Sequence, residues 1–396
     1  MKIYVSENRL VLFTVCSAFV YTFLYFPFGG WSFYSLSTIA CMSIVVVYVL
    51  VNLETVLNLY EYRGVNLLAC VYSFSVLLSK AYNDSFSLLV LVTFGFKCSL
   101  LPFVEMQRVK GHIRFLYKIF LLWFGISLAI NDLLMVAMPG RFYGDGITKV
   151  FFLGNKFSVG YDHIIFLIVF FLFYLNTARL RKWISILFFI TCFVCIYINC
   201  RTVLLGTIVM FAVYSSPESV FHKLSRKRTT TIVIIICAMF VFFTQITSIP
   251  SVKYFITEVL GRDVTLTGRQ QIFAVLPKVI KRKPLLGYGA SSEIISKYTG
   301  AFDAQNGFFD LIVSNGLSSA ILYAALIVSL VAKRNSKAGR ILLGAVYAYL
   351  IMSMVEVTFG TTLVLFSILL MTEKPSYKEE DIRILEPQTR ISVRLL

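Results

Sequence analysis

Arg201 is the only charge in the 31 residues from Trp183 to Val213. A charge in an apolar segment is expensive to keep there, so it marks a functional site by default. The plain alternative is a rim arginine that snorkels to lipid phosphate. Further along, Arg262 and Arg269 precede a cationic cluster of Lys278, Lys281, Arg282 and Lys283. Guanidinium forks match the oxygens of phosphate and diphosphate, so these arginines could bind a phosphorylated group and neutralise charge developing on it. For the cluster, solvation or contact with lipid headgroups is a sufficient account. For Arg269, beside a glycine at an expected helix start, both readings stand. Lys97 and Asp132 also fall inside apolar runs. They either line a cavity or, for Asp132, reach an interface.

Other chemistries find little support. Of three histidines, His112 and His222 fall in expected surface loops. His163 follows Asp162 at an expected helix start, where the aspartate reads as a cap. No H-x-x-x-H pair or acidic–histidine cluster suggests a metal centre. No P-loop or G-x-G-x-x-G sits between strand and helix, which disfavours an ATP-driven pump. The eight cysteines all fall in or beside apolar runs and read as small apolar residues, including the pair Cys192 and Cys195.

The elements that must carry these residues are membrane helices. Hydrophobic residues make up 58% of the 396-residue chain and charged residues 14%. A soluble domain carries about a quarter charged residues. Apolar runs recur at 10–27, 36–53, 64–80, 86–104, 115–138, 163–178, 183–200, 202–214, 231–249, 307–332, 341–355 and 358–372. A bilayer crossing takes about 20 apolar residues, so 202–214 and 358–372 are short enough to be tilted or re-entrant. The expected fold is all-α: a polytopic membrane protein of about 12 transmembrane helices. Residues 1–372 form one membrane domain and 373–396 a tail. Lys2 and Arg9 precede an apolar run without a clear cleavage site, so it reads as an uncleaved first helix.

The stretch from Trp183 to Val213 tests that count. As one helix it would be about 46 Å long against a hydrocarbon core of about 30 Å. Both flanks are basic, with Arg181 and Lys182 before it and Lys223 to Arg228 after it. The chain therefore has to return, which puts Arg201 at the tip of a hairpin. With the N-terminus inside, predicted cytoplasmic segments hold 22 basic residues and short outer segments five. That is a strong positive-inside bias. It makes both termini cytoplasmic and the long loop at 250–305 extracytoplasmic. The net charge of +17 thus reads as membrane topology, and nucleic acid is set aside. Within the loop, Thr267 can cap a helix starting near Gly268, with Ile272, Phe273, Leu276, Val279 and Ile280 on one face and a kink at Pro277. A basic amphipathic helix of this kind is expected to rest on the outer leaflet.

Four motifs together resemble the O-antigen polymerase/O-antigen ligase superfamily of bacterial membrane glycosyltransferases. They are Asn199-Cys200-Arg201-Thr202 with Gly206, and Thr267-Gly268-Arg269 followed by Pro284-Leu285-Leu286-Gly287-Tyr288-Gly289. The others are Gln305-Asn306-Gly307-Phe308-Phe309 followed by Ser314-Asn315-Gly316-Leu317, and Gly154-Asn155-Lys156-Phe157 with Gly160. The resemblance implies a multi-pass protein of the bacterial inner membrane with an extracytoplasmic active site. Its donor and acceptor would be glycans linked to undecaprenyl diphosphate, polymerised into O-antigen or capsule without a cofactor. Membrane lipid is a further partner, and there is room for a chain-length regulator protein. Arg201 and Arg269 would bind the diphosphate and stabilise it as the leaving group. Arg262, Asn155, Gln305 and Asn306 would contact substrate. Gln305 stands where the family has histidine, and neutral glutamine cannot act as a general base. That weakens the rival reading of a ligase acting on lipid A-core. It leaves the base open among Asp303, Glu293, Asp310 and His163. A second rival is a non-enzymatic flippase of lipid-linked oligosaccharides.

Overall fold

The computed structural model describes residues 8–24, 30–58, 62–138, 150–174, 181–242, 254, 269–301, 303–332 and 335–373. Apart from a two-residue antiparallel bridge between β1 (Val150–Phe151) and β2 (Gly154–Asn155), the described chain is helical. The first part comprises α1 (Arg9–Tyr21), α2 (Gly30–Val51), the short α3 (Leu53–Leu57), α4 (Arg63–Tyr82), α5 (Leu88–Val109) and α6 (Ile113–Ala137). Then come α7 (Lys156–Tyr174), α8 (Arg181–Tyr197), α9 (Arg201–Tyr214), α10 (Glu218–Leu224) and α11 (Lys227–Met239). The last part holds α12 (Arg269–Arg282), α13 (Ser291–Thr299), α14 (Gly307–Leu330), α15 (Lys337–Met352) and α16 (Thr361–Thr372).

Each of the twelve apolar runs falls on a helix. Six helices, α2, α4, α5, α6, α7 and α14, are long and apolar enough to cross a membrane alone. α9 and α10 add a seventh if taken as one span bent by 119°. Within the described residues the remaining apolar runs form helices of 13, 17, 13, 16 and 12 residues, at or below the lower end of the length that crosses a bilayer. Among the described residues, length and composition thus support six, or seven, of the twelve spans expected. Large apolar side chains such as Val47, Leu67, Phe74, Phe189 and Phe193 lie exposed along these helices. A contiguous apolar exterior of this kind suits lipid, not water.

The hairpin expected around Arg201 is present. The rings of Phe188 on α8 and Phe211 on α9 meet tilted, with centroids 4.1 Å apart. In a continuous helix those 23 residues would separate the rings by about 35 Å. Asn199 makes the turn in the left-handed region at φ 55°, a conformation asparagine tolerates better than most residues. α9 then docks closely on two neighbours. A side chain at Gly160 would meet Val203 at 2.8 Å, and one at Gly206 would meet Met352 at 2.6 Å. These glycines of two motifs let α7 and α15 approach α9 just beyond Arg201.

Three expectations change. α7 begins at Lys156, so Asp162 is buried in its second turn and is no cap. The apolar face of α12 packs on protein: Ile272, Phe273, Leu276 and Val279 join Val241, Ile295, Ala304 and Val313 in a core of their own. α12 therefore does not offer that face to the outer leaflet, because α13 and α14 already cover it. Finally, α14 breaks at Gly316, at φ 83° and ψ 169°, where one span was expected.

Candidate functional site

The break in α14 frees backbone groups, and the loop from Pro284 to Gly289 uses them. The N–H groups of Tyr288 and Gly289 donate to the carbonyls of Val313 and Ser314 at 2.9 and 2.8 Å, and the Leu317 N–H donates to the Pro284 carbonyl at 2.8 Å. Gly287, at φ 61°, sits so close to this segment that a side chain there would meet the Val313 carbonyl at 2.6 Å. Two separate sequence motifs therefore form one joint. It fixes the C-terminal side of α12, while the N-terminal side is fixed by Arg269.

Arg269, the first residue of α12, donates to Glu356 Oε1 at 2.9 Å and to the Val355 carbonyl at 3.0 Å. Glu356 lies on the turn between α15 and α16 and is buried. Burial pushes its carboxyl up to about 7, against the pull of Arg269; Asp303 raises it further and Lys156 opposes. Asp303 accepts the Gln305 N–H at 2.8 Å. Lys156 opens α7. Cys200 lies within electrostatic reach of both Lys156 and Glu356, and the next residue is Arg201. Arg201 is exposed, and among the described residues it has no hydrogen-bond or ion-pair partner. One end of the bundle thus gathers Lys156 and Arg269, from two distant segments, around Glu356 and Asp303, and Arg201 follows Cys200 at that same end. Such an arrangement can neutralise an anion of high charge density and can accept a proton beside it.

The other expected residues have more varied places. Asn306 is fully buried and caps α14: Oδ1 accepts from the N–H groups of Phe308 and Phe309, and Nδ2 donates to the carbonyls of Cys237 and Met354. Its amide has no position left for a substrate. Asn155 is exposed, and its Oδ1 caps α7 through Phe157 and Ser158. Gln305 sits in the left-handed region at φ 51° beside Asn306. Arg262 and Thr267 lie outside the described residues. Of the candidate bases, His163 pairs with Asp132 at 3.3 Å, Asp310 accepts the Ala304 N–H, and Glu293 is exposed in the first turn of α13. Asp303 alone among them acts on Glu356. Lys97 lines a pocket with Tyr72, Tyr323 and Phe359.

Glu356 was not among the expected site residues, although a signal for it exists. It is the only charge between Ile341 and Thr372, the same feature that singles out Arg201. No protein-family model, curated protein or solved structure matches the chain.

Proposed function

We propose that this protein is a membrane glycosyltransferase that polymerises oligosaccharide repeat units carried on undecaprenyl diphosphate, working on the extracytoplasmic side of the bacterial inner membrane. The observation that carries the reading is the placing of Arg269 and Lys156 about the buried Glu356, at the end of the apolar helical bundle where the hairpin turn before Arg201 also lies. Transfer of a glycan from a lipid diphosphate breaks the anomeric C–O bond and leaves negative charge on the diphosphate. Fixed cations at a partly dry membrane face stabilise that charge as it develops. The lipid substrate and the lipid-suited exterior of the helices belong together.

The sidedness follows from charge. The segments expected outside meet each other, as in the contacts of Arg269 with Glu356 and of Lys283 with Asn83. The segments expected inside also meet each other, as in the contacts of Arg340 with Ser216 and of Asn335 with Glu218. With the basic excess at the second end, the positive-inside rule makes the Arg201 end extracytoplasmic.

Replacing Arg201 or Arg269 with alanine should collapse polymer length at unchanged protein level, and lysine should restore little because it lacks the fork. Normal chain length in both alanine variants would sink the reading. The glycan profile of a deletion strain separates the rivals. Single repeat units on the acceptor indicate a polymerase and polymer stranded on the carrier a ligase. Units retained on the cytoplasmic face indicate a flippase.

A further inference from the structure

Glycosyl transfer to a hydroxyl needs a group to take the hydroxyl proton, and Gln305 cannot do so. The carboxylates of the site differ in how they are held. Asp303 accepts the Gln305 N–H through Oδ1. Glu356 has a carboxylate oxygen on Arg269, the arginine assigned to diphosphate. That pairing is a competition: the guanidinium that must bind substrate is already neutralised inside the protein. An incoming diphosphate, with more charge and a matching oxygen spacing, can replace the carboxylate on the fork. It would leave Glu356 ionised, buried and without its counter-ion, beside the bond to be made. A carboxylate in that position is a strong proton acceptor.

We infer that Glu356 is the proton acceptor for the attacking hydroxyl and that, before substrate binds, it occupies Arg269 as a counter-ion. The inference rests on the transferase reading above. In the step, the acceptor oxygen forms a bond to the anomeric carbon as its proton passes to the Glu356 carboxylate. The anomeric C–O bond breaks with its electron pair leaving on the lipid diphosphate, held by Arg201 and Arg269. Glu356 later gives the proton to water.

The groups that face Glu356 set its titration. They are Arg269 on α12, Asp303 ahead of α14, Lys156 at the start of α7, Tyr161 one turn along α7, and Cys200 ahead of α9. Protonating Glu356 removes the charge that opposes a diphosphate on Arg269, whose guanidinium keeps its bond to the Val355 carbonyl. Binding of a diphosphate should therefore strengthen as pH falls through about 7, where burial and these neighbours hold the carboxyl.

The test uses the purified full chain in detergent and farnesyl-diphospho-N-acetylglucosamine as probe. Both phosphates of this diester stay ionised across the neutral range, so any pH dependence belongs to the protein. At one pH unit above the Glu356 midpoint, Glu356→Gln should bind the probe more tightly than the natural chain, by up to about tenfold because the ionised chain binds more weakly but still binds, and with a flat pH profile. Its polymerisation rate should fall about a hundredfold or more, and Glu356→Asp should recover part of it. Polymerisation by Glu356→Gln at the natural rate overturns the inference. So does loss of both binding and polymerisation in that variant, which assigns Glu356 to folding alone. Arg269→Ala serves as the control for the underlying reading. If it binds the probe as well as the natural chain does, the diphosphate assignment fails first, whatever Glu356 does.

Discussion

Asn306 spends its whole amide on the protein: two backbone N–H groups of α14 on one side and the carbonyls of Cys237 and Met354 on the other. Asn306→Asp keeps the cap acceptors but turns a carboxylate toward two carbonyls. The expected cost is about 2 kcal/mol or more, because buried acceptors lose their donor and like partial charges face each other. Thermal unfolding in detergent should register that loss, and activity per folded molecule should hold. A fully stable Asn306→Asp that cannot polymerise would instead put this residue on the substrate. The type of residue was legible here and its role was not. Asparagine before a helix reads equally as a cap or as a sugar contact, and only the partners decide. Arg201 was legible because an isolated charge in an apolar hairpin is costly to keep without a task. Glu356 carries the same signal, but it falls between two short apolar runs, where a carboxylate at a turn also has the bland reading of a solvated loop.

At the scale of elements, the joint between α14 and the loop from Pro284 to Gly289 is the part that apolar patterning could not reveal. A single glycine in an apolar run is weak evidence of a break, and Gly316 looks like any other small residue in a helix. Its φ of 83° and ψ of 169° are open to glycine alone, and a side chain there would run into the Leu285 carbonyl. Gly316→Ala should therefore remove most folded protein, since backbone strain of about 1–3 kcal/mol adds to a collision with backbone that cannot rotate away. Gly300 is the matched comparison. It ends α13 at φ 74° with open space where a side chain would go, so Gly300→Ala should cost about 1 kcal/mol. Yield and melting temperature of the two variants in one detergent check the contrast, and equal losses would mean that the joint is not what holds α12 in place. The helices themselves were legible, each apolar run landing on one, because lipid demands internally bonded backbone and runs of matching length. Their lengths were less so. The short helices end at turns that apolar patterning does not mark, as at Asn199, where local backbone bonds close the helix before the apolar run ends.

Across the whole molecule, the distribution of charge carries the assignment of sides. Basic residues cluster beyond the ends of α5, α10 and α14, and the anion-binding candidates gather at the opposite end. The two ends therefore differ in composition: one collects most of the basic residues of the short connections, the other the candidate anion-binding residues. Positive-inside bias turns that difference into the proposed direction, and direction decides whether the site could meet the exported lipid-linked glycan proposed as its substrate. Two exposed lysines test it. Lys297 lies on α13 near the site, and Lys227 opens α11 at the opposite end. In a background with the native cysteines replaced, four of which are partly accessible, Lys297→Cys should react with a membrane-impermeant maleimide on intact spheroplasts. Lys227→Cys should react only after permeabilisation. Because the two positions sit at opposite ends of one bundle, the experiment has its own control. Reaction of both on intact cells means leaky membranes, and the reverse pattern inverts the molecule. Inversion would place Arg201, Arg269 and Glu356 in the cytoplasm, away from the polymerisation step. Labelling of Lys297→Cys alone would leave the cationic end facing the leaflet where lipid-linked repeat units arrive, the condition on which every step at Arg269 and Glu356 depends.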